Sequence, residues 1–202
     1  MDPQGGPAVS ALPGPGTVVS VNLSERKTMR KKPGTDGALV FDRGFDGDAH
    51  AGDWHRQVSL LAQESIDKMT AAGLDVGPGD FAENITTQGI DLMALPVGSI
   101  LSIGDGVRLE ISQIGKVCHT KCAIFYQAGD CVMPREGLFA VVRAEGPVRV
   151  GDAVTALTLG DGTCDRTPPE AIAEFEAEKA REAAAAGEAC APASVRARTK
   201  GE

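Results

Sequence analysis

The sequence predicts a mainly β domain, a barrel or a sandwich with a few short helices, followed by a helical tail. Many short β-rich segments alternate with turns at close intervals, which is typical of barrels and sandwiches. Before the tail, one segment, around residues 65–74, has the apolar spacing of a helix that packs on a core. Strands that do not alternate with helices argue against a parallel α/β sheet.

The chain divides into three regions by composition. Residues 1–16 contain four prolines and four glycines and show no helical or strand period, which predicts a disordered leader. The main domain is expected over residues 17–160 and a helical or disordered tail over 165–202. The start of the chain lacks the basic and apolar regions of a secretory signal, so we expect a cytoplasmic protein.

The first half of the domain reads as strands around one helix. Residues 17–23 and 38–41 are predicted strands, and the second leads into a loop rich in glycine, aspartate and histidine. Residues 57–61 form a strand candidate that feeds the helix around residues 65–74, with Gly73 as its stop signal. Residues 85–87 favour another strand.

The second half contains the clearest hairpin. Two alternating β-rich runs, 97–103 and 107–112, flank an Asp-Gly turn. Residues 138–143 and 148–154 are predicted to form another strand pair, joined across Gly146-Pro147.

The predicted tail begins with two prolines and continues as a strong helix former over residues 170–186. Its only apolar side chains larger than alanine are Ile172 and Phe175. Such a helix either docks weakly through these two residues or stays solvated.

Composition excludes several classes of partner. The net charge is −8, and only eight residues are aromatic, so neither a cationic field nor a stacking platform for nucleic acid is present. No apolar run is long enough to span a membrane. We therefore expect neither nucleic acid nor a membrane as a partner.

The cysteines point to thiol chemistry. Their number is five, which is odd, and a reducing compartment favours thiols or metal ligands over disulfides. Lys116 and His119 flank Cys118 and would favour its reactive thiolate. A zinc or iron–sulfur site formed by Cys118, Cys122, Cys131 and a histidine is an alternative, as are inert buried cysteines.

Two polar segments in the first half are further candidates for a site. Asp48 and His50, within the loop before Arg56, are suited to ligate a metal or to act as an acid–base pair, or they simply satisfy a polar turn. Residues 24–32 carry five cationic side chains against one glutamate, which suits a phosphate or carboxylate ligand, although such runs are usually solvated loops.

A third polar segment, residues 83–89, includes Glu83 and Asn84 in an otherwise β-like stretch. Its amide and hydroxyl groups would either orient a ligand or cap a turn.

Five strings occur together in the order seen in MOSC domains, which are named for the C-terminal domain of molybdenum-cofactor sulfurase. The strings are Gly44-Phe-Asp-Gly-Asp-Ala-His50, Arg56-Gln-Val-Ser-Leu-Leu61, Gly79-Asp-Phe-Ala-Glu-Asn-Ile-Thr-Thr87, Val97-Gly…Ile103-Gly-Asp105 and Gly115-Lys-Val-Cys118. The chain thus resembles this family over about residues 18–157. Within that range, the stretch that continues from Cys118 to Gly137 resembles a small bacterial stand-alone or cofactor-biosynthesis-linked branch.

The resemblance implies a distorted β-barrel that works around the molybdenum cofactor, a pterin dithiolene (molybdopterin) that carries a phosphate. In the family, the cysteine of Gly-Lys-x-Cys carries sulfur or ligates molybdenum, and this role falls on Cys118. Basic and polar side chains would then bind or shape the site of the pterin and its phosphate. These candidates are Lys27, Asp48, His50, Arg56, Asn84 and Lys116.

The function implied by the resemblance is sulfur or cofactor transfer to molybdoenzymes through Cys118, with an apo-molybdoenzyme or a sulfur donor protein as partner. The sequence holds no pyridoxal-phosphate desulfurase domain, so a donor would have to supply the sulfur. One alternative is a small molybdoenzyme component that reduces N-hydroxylated compounds with electrons from outside. Another is a non-catalytic cofactor carrier. An enzymatic role, as a sulfurtransferase or a molybdenum-dependent oxidoreductase, is favoured over the carrier.

Overall fold

A computed structural model provides the coordinates of this chain. It describes residues 11–27, 29–118, 123–129, 131–174, 176–177 and 180–181. The described strands are β1 (Gly16–Leu23), β2 (Lys32–Gly34), β3 (Asp36–Val40), β4 (Gly44–Phe45), β5 (Val58–Ala62), β6 (Ile85–Gln88), β7 (Ile100–Ile103), β8 (Val107–Ile114), β9 (Leu138–Ala144), β10 (Gly146–Arg149) and β11 (Ala153–Thr158). The helices are α1 (Gln63–Ala71), α2 (Ala123–Ala128) and α3 (Met133–Glu136), with a 3-10 turn at Leu92–Ala94.

Seven strands close into a barrel in the order β1-β11-β7-β8-β9-β5-β6, and β6 pairs with β1 again. Strand β2 pairs with the far end of β1, while β10, β3 and β4 form a small separate sheet. The fold is therefore mainly β and barrel-shaped with a few short helices, as predicted. No helix in the described part of the chain is both long and apolar enough to cross a membrane.

One pair in the barrel, β5 and β6, is parallel. Parallel neighbours need a crossover connection, and α1 lies in it. The buried face of α1 carries Ile66 and Met69, which join a second apolar cluster with Phe81, Met133 and Phe139. This cluster lies apart from the barrel core and joins the crossover to the segment that contains α2 and α3.

The barrel core is built from inward-facing side chains, which alternate along each strand with outward-facing ones. In β8 the apolar residues Val107, Leu109 and Ile111 are buried, and Arg108 and Glu110 between them are half-buried. The polar residues Ser112 and Gln113 that follow are also buried. The predicted strand at 107–112 and the hairpin with 97–103 are confirmed, since Leu101 pairs with Leu109 across β7 and β8.

The predicted pairing of residues 138–143 with 148–154 is wrong. Strand β9 pairs with β8 and β5, whereas β10 pairs with β3. The predicted second strand is also split, because Gly151 has a φ of +92° and Asp152 closes a turn by donating its N–H to the carbonyl of Arg149 at 3.0 Å. After this turn the chain enters β11, which closes the barrel against β1 and β7.

Residues 1–10 of the predicted leader and residues 182–202 of the predicted tail lie outside the described part of the chain. Residues 169–174 at the start of the predicted tail are helical, but the helix predicted over 170–186 extends beyond the described residues and as a whole stays a prediction.

Candidate functional site

The loop after β8 places Cys118 beside a cavity. Gly115 donates its N–H to the carbonyl of Gly137 at 2.7 Å, and the N–H of Lys116 reaches the carbonyl of Pro134 at 3.1 Å. These bonds tie the loop to α3 and to the start of β9. The Cys118 side chain is exposed at the end of this tether.

The cavity has a volume of about 260 Å³ and opens between this loop and the loop that precedes β5. Its lining combines cationic, polar, apolar and thiol side chains. The lining residues are His50, Trp54, Arg56, Ser59, Ala82, Asn84, Lys116, Val117, Cys118, Met133 and Phe139. Five of the residues singled out from the sequence, His50, Arg56, Asn84, Lys116 and Cys118, thus meet at one place.

The loop between β4 and β5 supplies one side of the cavity. Ala49 donates its N–H to the carbonyl of Ser24 at 2.8 Å, which anchors the loop to the end of β1. The indole N–H of Trp54 reaches back to the carbonyl of His50 at 2.9 Å. This bond fixes the Trp54 side chain against the backbone of His50 on the same short loop.

Arg56 lies between two aromatic rings. Its guanidinium carbon is 4.9 Å from the centroid of the Trp54 ring and 5.7 Å from that of Phe139. The Nε atom is buried and has no hydrogen-bond partner. Burial lowers the pKa of Arg56, while the charges of Glu174 and Cys118 act to raise it. Arg56 and Cys118 therefore face the same cavity.

Asn84 lies where β6 begins beside β5, and its amide is already engaged. Its Oδ1 accepts hydrogen bonds from the backbone N–H of Ser59 at 3.2 Å and from the Ser59 hydroxyl at 3.1 Å. Its Nδ2 donates to the carbonyl of Asn22 at 3.3 Å. The polar groups of Asn84 thus join strands β1, β5 and β6 at the cavity wall.

Behind His50 is a buried ion pair. Lys31 and Asp48 are each about 1% exposed in their side chains, and the Lys31 Nζ lies 2.6 Å from Asp48 Oδ2. Burial lowers the pKa of Lys31, although Asp48 acts to raise it. Burial alone would raise the pKa of Asp48, but the adjacent His50 and Lys31 side chains and the backbone N–H groups of Ser24 and His50 hold it well below its usual range. Asp48 therefore stays ionised and supports the cavity from behind.

Beside this pair is a second buried carboxyl group. Glu83 is 0% exposed, and burial raises its pKa. Its Oε1 accepts hydrogen bonds from the Gly79 N–H and the Thr86 hydroxyl, at 2.5 and 2.9 Å, whereas its Oε2 has no partner. Gly79 also lets the chain pass Lys31, because a Cβ on this residue would lie 2.3 Å from the Lys31 carbonyl oxygen. Glu83 is part of the scaffold beneath the site, not of the cavity lining.

The cationic run is divided between two places. Only Lys31 turns inward, toward Asp48. Arg26, Arg30 and Lys32 line a different cavity of about 480 Å³, together with three carboxylates, those of Glu25, Asp36 and Asp46. Lys27 is exposed in the loop after β1 and does not line the cavity beside Cys118.

The structure describes only part of the alternative metal site, which was predicted from Cys118, Cys122, Cys131 and a histidine. His119 and Cys122 lie outside the described residues. Within the described residues, Cys118, Cys131 and Cys164 are not joined in disulfides. Cys164 comes close to Glu110 and Asp165, but the guanidinium of Arg143 binds both of these carboxylates and thereby competes with a metal ion for them.

Sequence reasoning did not single out several residues of the lining. Trp54, Met133 and Phe139 are apolar and, in the sequence, look like ordinary core or loop residues. Ser59 lies within the strand β5, and nothing in its sequence context distinguishes it from other strand residues. A usable signal existed for Trp54, since the only tryptophan of the chain lies within the polar loop between His50 and Arg56.

A comparison with known protein families finds a match over the middle of the chain. The sequence profile of the MOSC domain matches residues 46–155, a span that contains His50, Arg56, Asn84, Lys116 and Cys118. No curated protein sequence matches the chain.

Solved structures have a similar fold. The YUAD protein from Bacillus subtilis is similar with a TM-score of 0.62 and 17% identity, covering 71% of this chain and 96% of that one. YiiM from Geobacillus stearothermophilus is similar with a TM-score of 0.56 and 19% identity, covering 88% of this chain and 92% of that one. YiiM from Escherichia coli is similar with a TM-score of 0.52 and 21% identity, covering 80% and 77%. At these identities the likeness concerns the fold.

Proposed function

Since this chain belongs to the MOSC domain family, we propose that it binds the molybdenum cofactor in the cavity beside Cys118. In this proposal Cys118 either carries sulfur to be transferred or ligates the metal. MOSC domains are associated with molybdenum cofactor chemistry, and the residues around the cavity suit its three parts: a phosphate, a planar pterin and a metal held by sulfur.

The charge of the lining is the observation that carries the proposal. The protein has a net charge of −8, yet the described lining of this cavity contains Arg56 and Lys116 and no carboxylate. Arg56 also has a buried Nε without a partner. A buried donor without a partner is costly, and an anionic ligand such as a phosphate would satisfy it.

The other side of the cavity suits a flat, partly apolar ring. Trp54, Met133 and Phe139 supply two aromatic rings and a flexible thioether. Most small-molecule sites combine such an apolar wall with a few polar groups that fix orientation. A pterin ring has this mixed character, so the residues present fit the cofactor.

Each polar residue then has a defined task. Arg56 and Lys116 would neutralise the phosphate, and His50 would offer a ring nitrogen to the pterin. Asn84 would shape the wall through its bonds to Ser59 and Asn22. When bound, the cofactor supplies a molybdenum centre, for which a thiolate such as that of Cys118 is a suitable soft ligand.

As a sulfur carrier, Cys118 would receive sulfur from a donor protein that bears a cysteine persulfide. The Cys118 thiolate attacks the terminal sulfur, the S–S bond of the donor breaks, and the donor cysteine leaves as a thiolate. A new S–S bond then joins the transferred sulfur to Cys118, and no external oxidant is needed. The exposed position of Cys118 suits contact with a donor protein and with an apo-molybdoenzyme as acceptor.

The first test measures cofactor content. The protein is purified from a host that makes molybdenum cofactor, then oxidised, and its pterin is quantified by fluorescence and its metals by mass spectrometry. Pterin and molybdenum near stoichiometry are expected. A protein without pterin that instead contains stoichiometric zinc or iron would overturn the proposal.

Variants then locate the site. Arg56→Gln is expected to lose most of the bound pterin, whereas Arg26→Gln, on the other cavity, keeps it. Cys118→Ser should keep pterin but lose sulfur transfer from a persulfide donor. Full transfer by Cys118→Ser would contradict the role of this cysteine. Turnover of an N-hydroxylated compound by the reduced, loaded wild type would replace transfer with the reductase alternative.

A further inference from the structure

His50 contacts the Lys31–Asp48 ion pair through one specific ring nitrogen. Its Nδ1 lies 3.2 Å from the Lys31 Nζ and 3.4 Å from Asp48 Oδ1. Its backbone N–H also donates to Asp48 Oδ1 at 2.9 Å. No described residue forms a hydrogen bond with the other ring nitrogen, Nε2, and the ring itself lines the cavity.

The ion pair leaves little freedom to its members. The two Asp48 oxygens lie 2.6 and 2.7 Å from the Lys31 Nζ, and Oδ2 also accepts the backbone N–H of Ser24 at 2.9 Å. Burial lowers the pKa of Lys31, but the carboxylate of Asp48, 2.6 Å away and itself held ionised, opposes this shift and favours the ammonium form.

An ammonium group has three donors and no acceptor. A neutral imidazole has one N–H and one bare nitrogen, and the bond made by one nitrogen decides where the proton lies. Facing an ammonium, Nδ1 has to be the acceptor.

We infer that Lys31 and Asp48 are positioning residues that hold neutral His50 with its proton on Nε2, so that His50 presents an N–H donor to the cavity. Asp48 orients the Lys31 ammonium, and this ammonium occupies Nδ1. Without Lys31, the nearest partner of Nδ1 is Asp48 Oδ1, an acceptor, and the proton would move to Nδ1. The lysine therefore decides whether the cavity meets a donor or an acceptor.

An N–H donor at His50 Nε2 favours a ligand group that presents a lone pair to it, such as a carbonyl oxygen, a bare ring nitrogen or a phosphate oxygen. A ligand that offers an N–H here would meet another N–H. The identity of the ligand group rests on the proposed function, whereas the tautomer is a property of the protein without its ligand.

The test is a long-range ¹H–¹⁵N NMR correlation of the histidine side chains in the full, cofactor-free chain. At about pH 8.5, where an ordinary imidazole is neutral, the two tautomers give distinct nitrogen shifts and cross-peak patterns. The chain has three histidines, and the signals lost in His50→Gln identify those of His50. Wild type is expected to show a protonated Nε2 and a bare Nδ1. A protonated Nδ1 in wild type would overturn the inference.

Lys31→Met provides the second arm. The proton is expected to move to Nδ1 in this variant, and an unchanged Nε2–H pattern would refute the role of Lys31. Lys32→Met removes the exposed neighbouring lysine and should leave the wild-type pattern intact. If Lys31→Met does not fold, the wild-type spectrum still decides the tautomer. Because no cofactor is present, failure of the cofactor proposal would leave this result unaffected.

Discussion

The guanidinium carbon of Arg56 lies 4.9 Å from the centroid of the Trp54 ring, within the range of a cation–π contact. The indole is itself fixed by its bond to the His50 carbonyl. This arrangement holds the cation at the cavity without occupying its buried Nε. It also places the only tryptophan of the chain in the proposed site.

Tryptophan fluorescence should therefore report on the cavity directly. We expect saturable quenching of the Trp54 emission as a phosphate-bearing pterin is titrated into cofactor-free protein, because the ring lines the site. Trp54→Phe should lose the signal while it retains pterin in an equilibrium dialysis assay. Emission that stays constant while dialysis shows binding would place the ligand elsewhere.

Arg56→Lys should weaken pterin binding although the charge is kept. Lysine lacks the planar fork of five N–H donors and the stacking surface of the guanidinium. Losing one charge-assisted hydrogen bond costs about 1.5–3 kcal/mol, which corresponds to an increase of the Kd by roughly 10- to 150-fold. The free energy of unfolding should change less, by about 0.5–1 kcal/mol for an exposed cation–π contact and somewhat more where it is buried.

The matched control for this substitution is Arg26→Lys. Arg26 is an exposed arginine that lines the other cavity, so its replacement should leave the Kd unchanged. Equal losses in both variants would indicate a general effect of surface charge instead of a site at Arg56.

The barrel strands were largely predictable because their side chains alternate between the core and the solvent. The hairpin of β7 and β8 is an example, since alternation and an Asp-Gly turn both define it locally. The partner of β10 was not predictable in this way. Its pairing with β3 joins residues more than 100 positions apart, as Arg149 with Asp36, and no local pattern specifies it.

The candidate site was predictable only in its polar part. The resemblance to MOSC domains supplied Cys118 and its polar neighbours, but it did not indicate which cation of the basic run turns inward. That choice depends on a distant carboxylate, Asp48, and on the glycine that lets the chain pass, Gly79. Lys27 and Lys31 look equivalent in sequence, yet only Lys31 is buried.

The buried ion pair predicts strong coupling between Lys31 and Asp48. Lys31→Met leaves an uncompensated buried carboxylate and should lower the free energy of unfolding by about 3–5 kcal/mol. The double variant Lys31→Met/Asp48→Asn removes both charges and should be more stable than Lys31→Met alone. Urea denaturation of the four proteins in this cycle measures the coupling, and additive effects would contradict it.

Acid should weaken the protein through the same carboxylate. The pKa of Asp48 is lower in the folded protein than the value of about 3.9 for the unfolded chain. The folded state therefore binds fewer protons, and the stabilisation from Asp48 is fully present above about pH 4 and decreases as the pH falls toward its folded pKa. Urea midpoints from pH 6 to pH 2 should show wild type losing its advantage over Asp48→Asn in this window. A constant difference between the two proteins would contradict the lowered pKa.

The described cysteines should differ in their reaction with an alkylating reagent. Cys118 is exposed, whereas Cys131 and Cys164 are buried, and burial also raises the pKa of Cys164. Alkylation requires an accessible thiolate, so peptide mass mapping should find Cys118 modified well before the other two, on the order of tenfold faster or more. Loading with cofactor should protect Cys118 and leave the slow modification of Cys164 unchanged. If the loaded protein reacts at Cys118 as fast as the empty one, the ligand does not cover this sulfur, and the proposed place of Cys118 beside the cofactor is wrong.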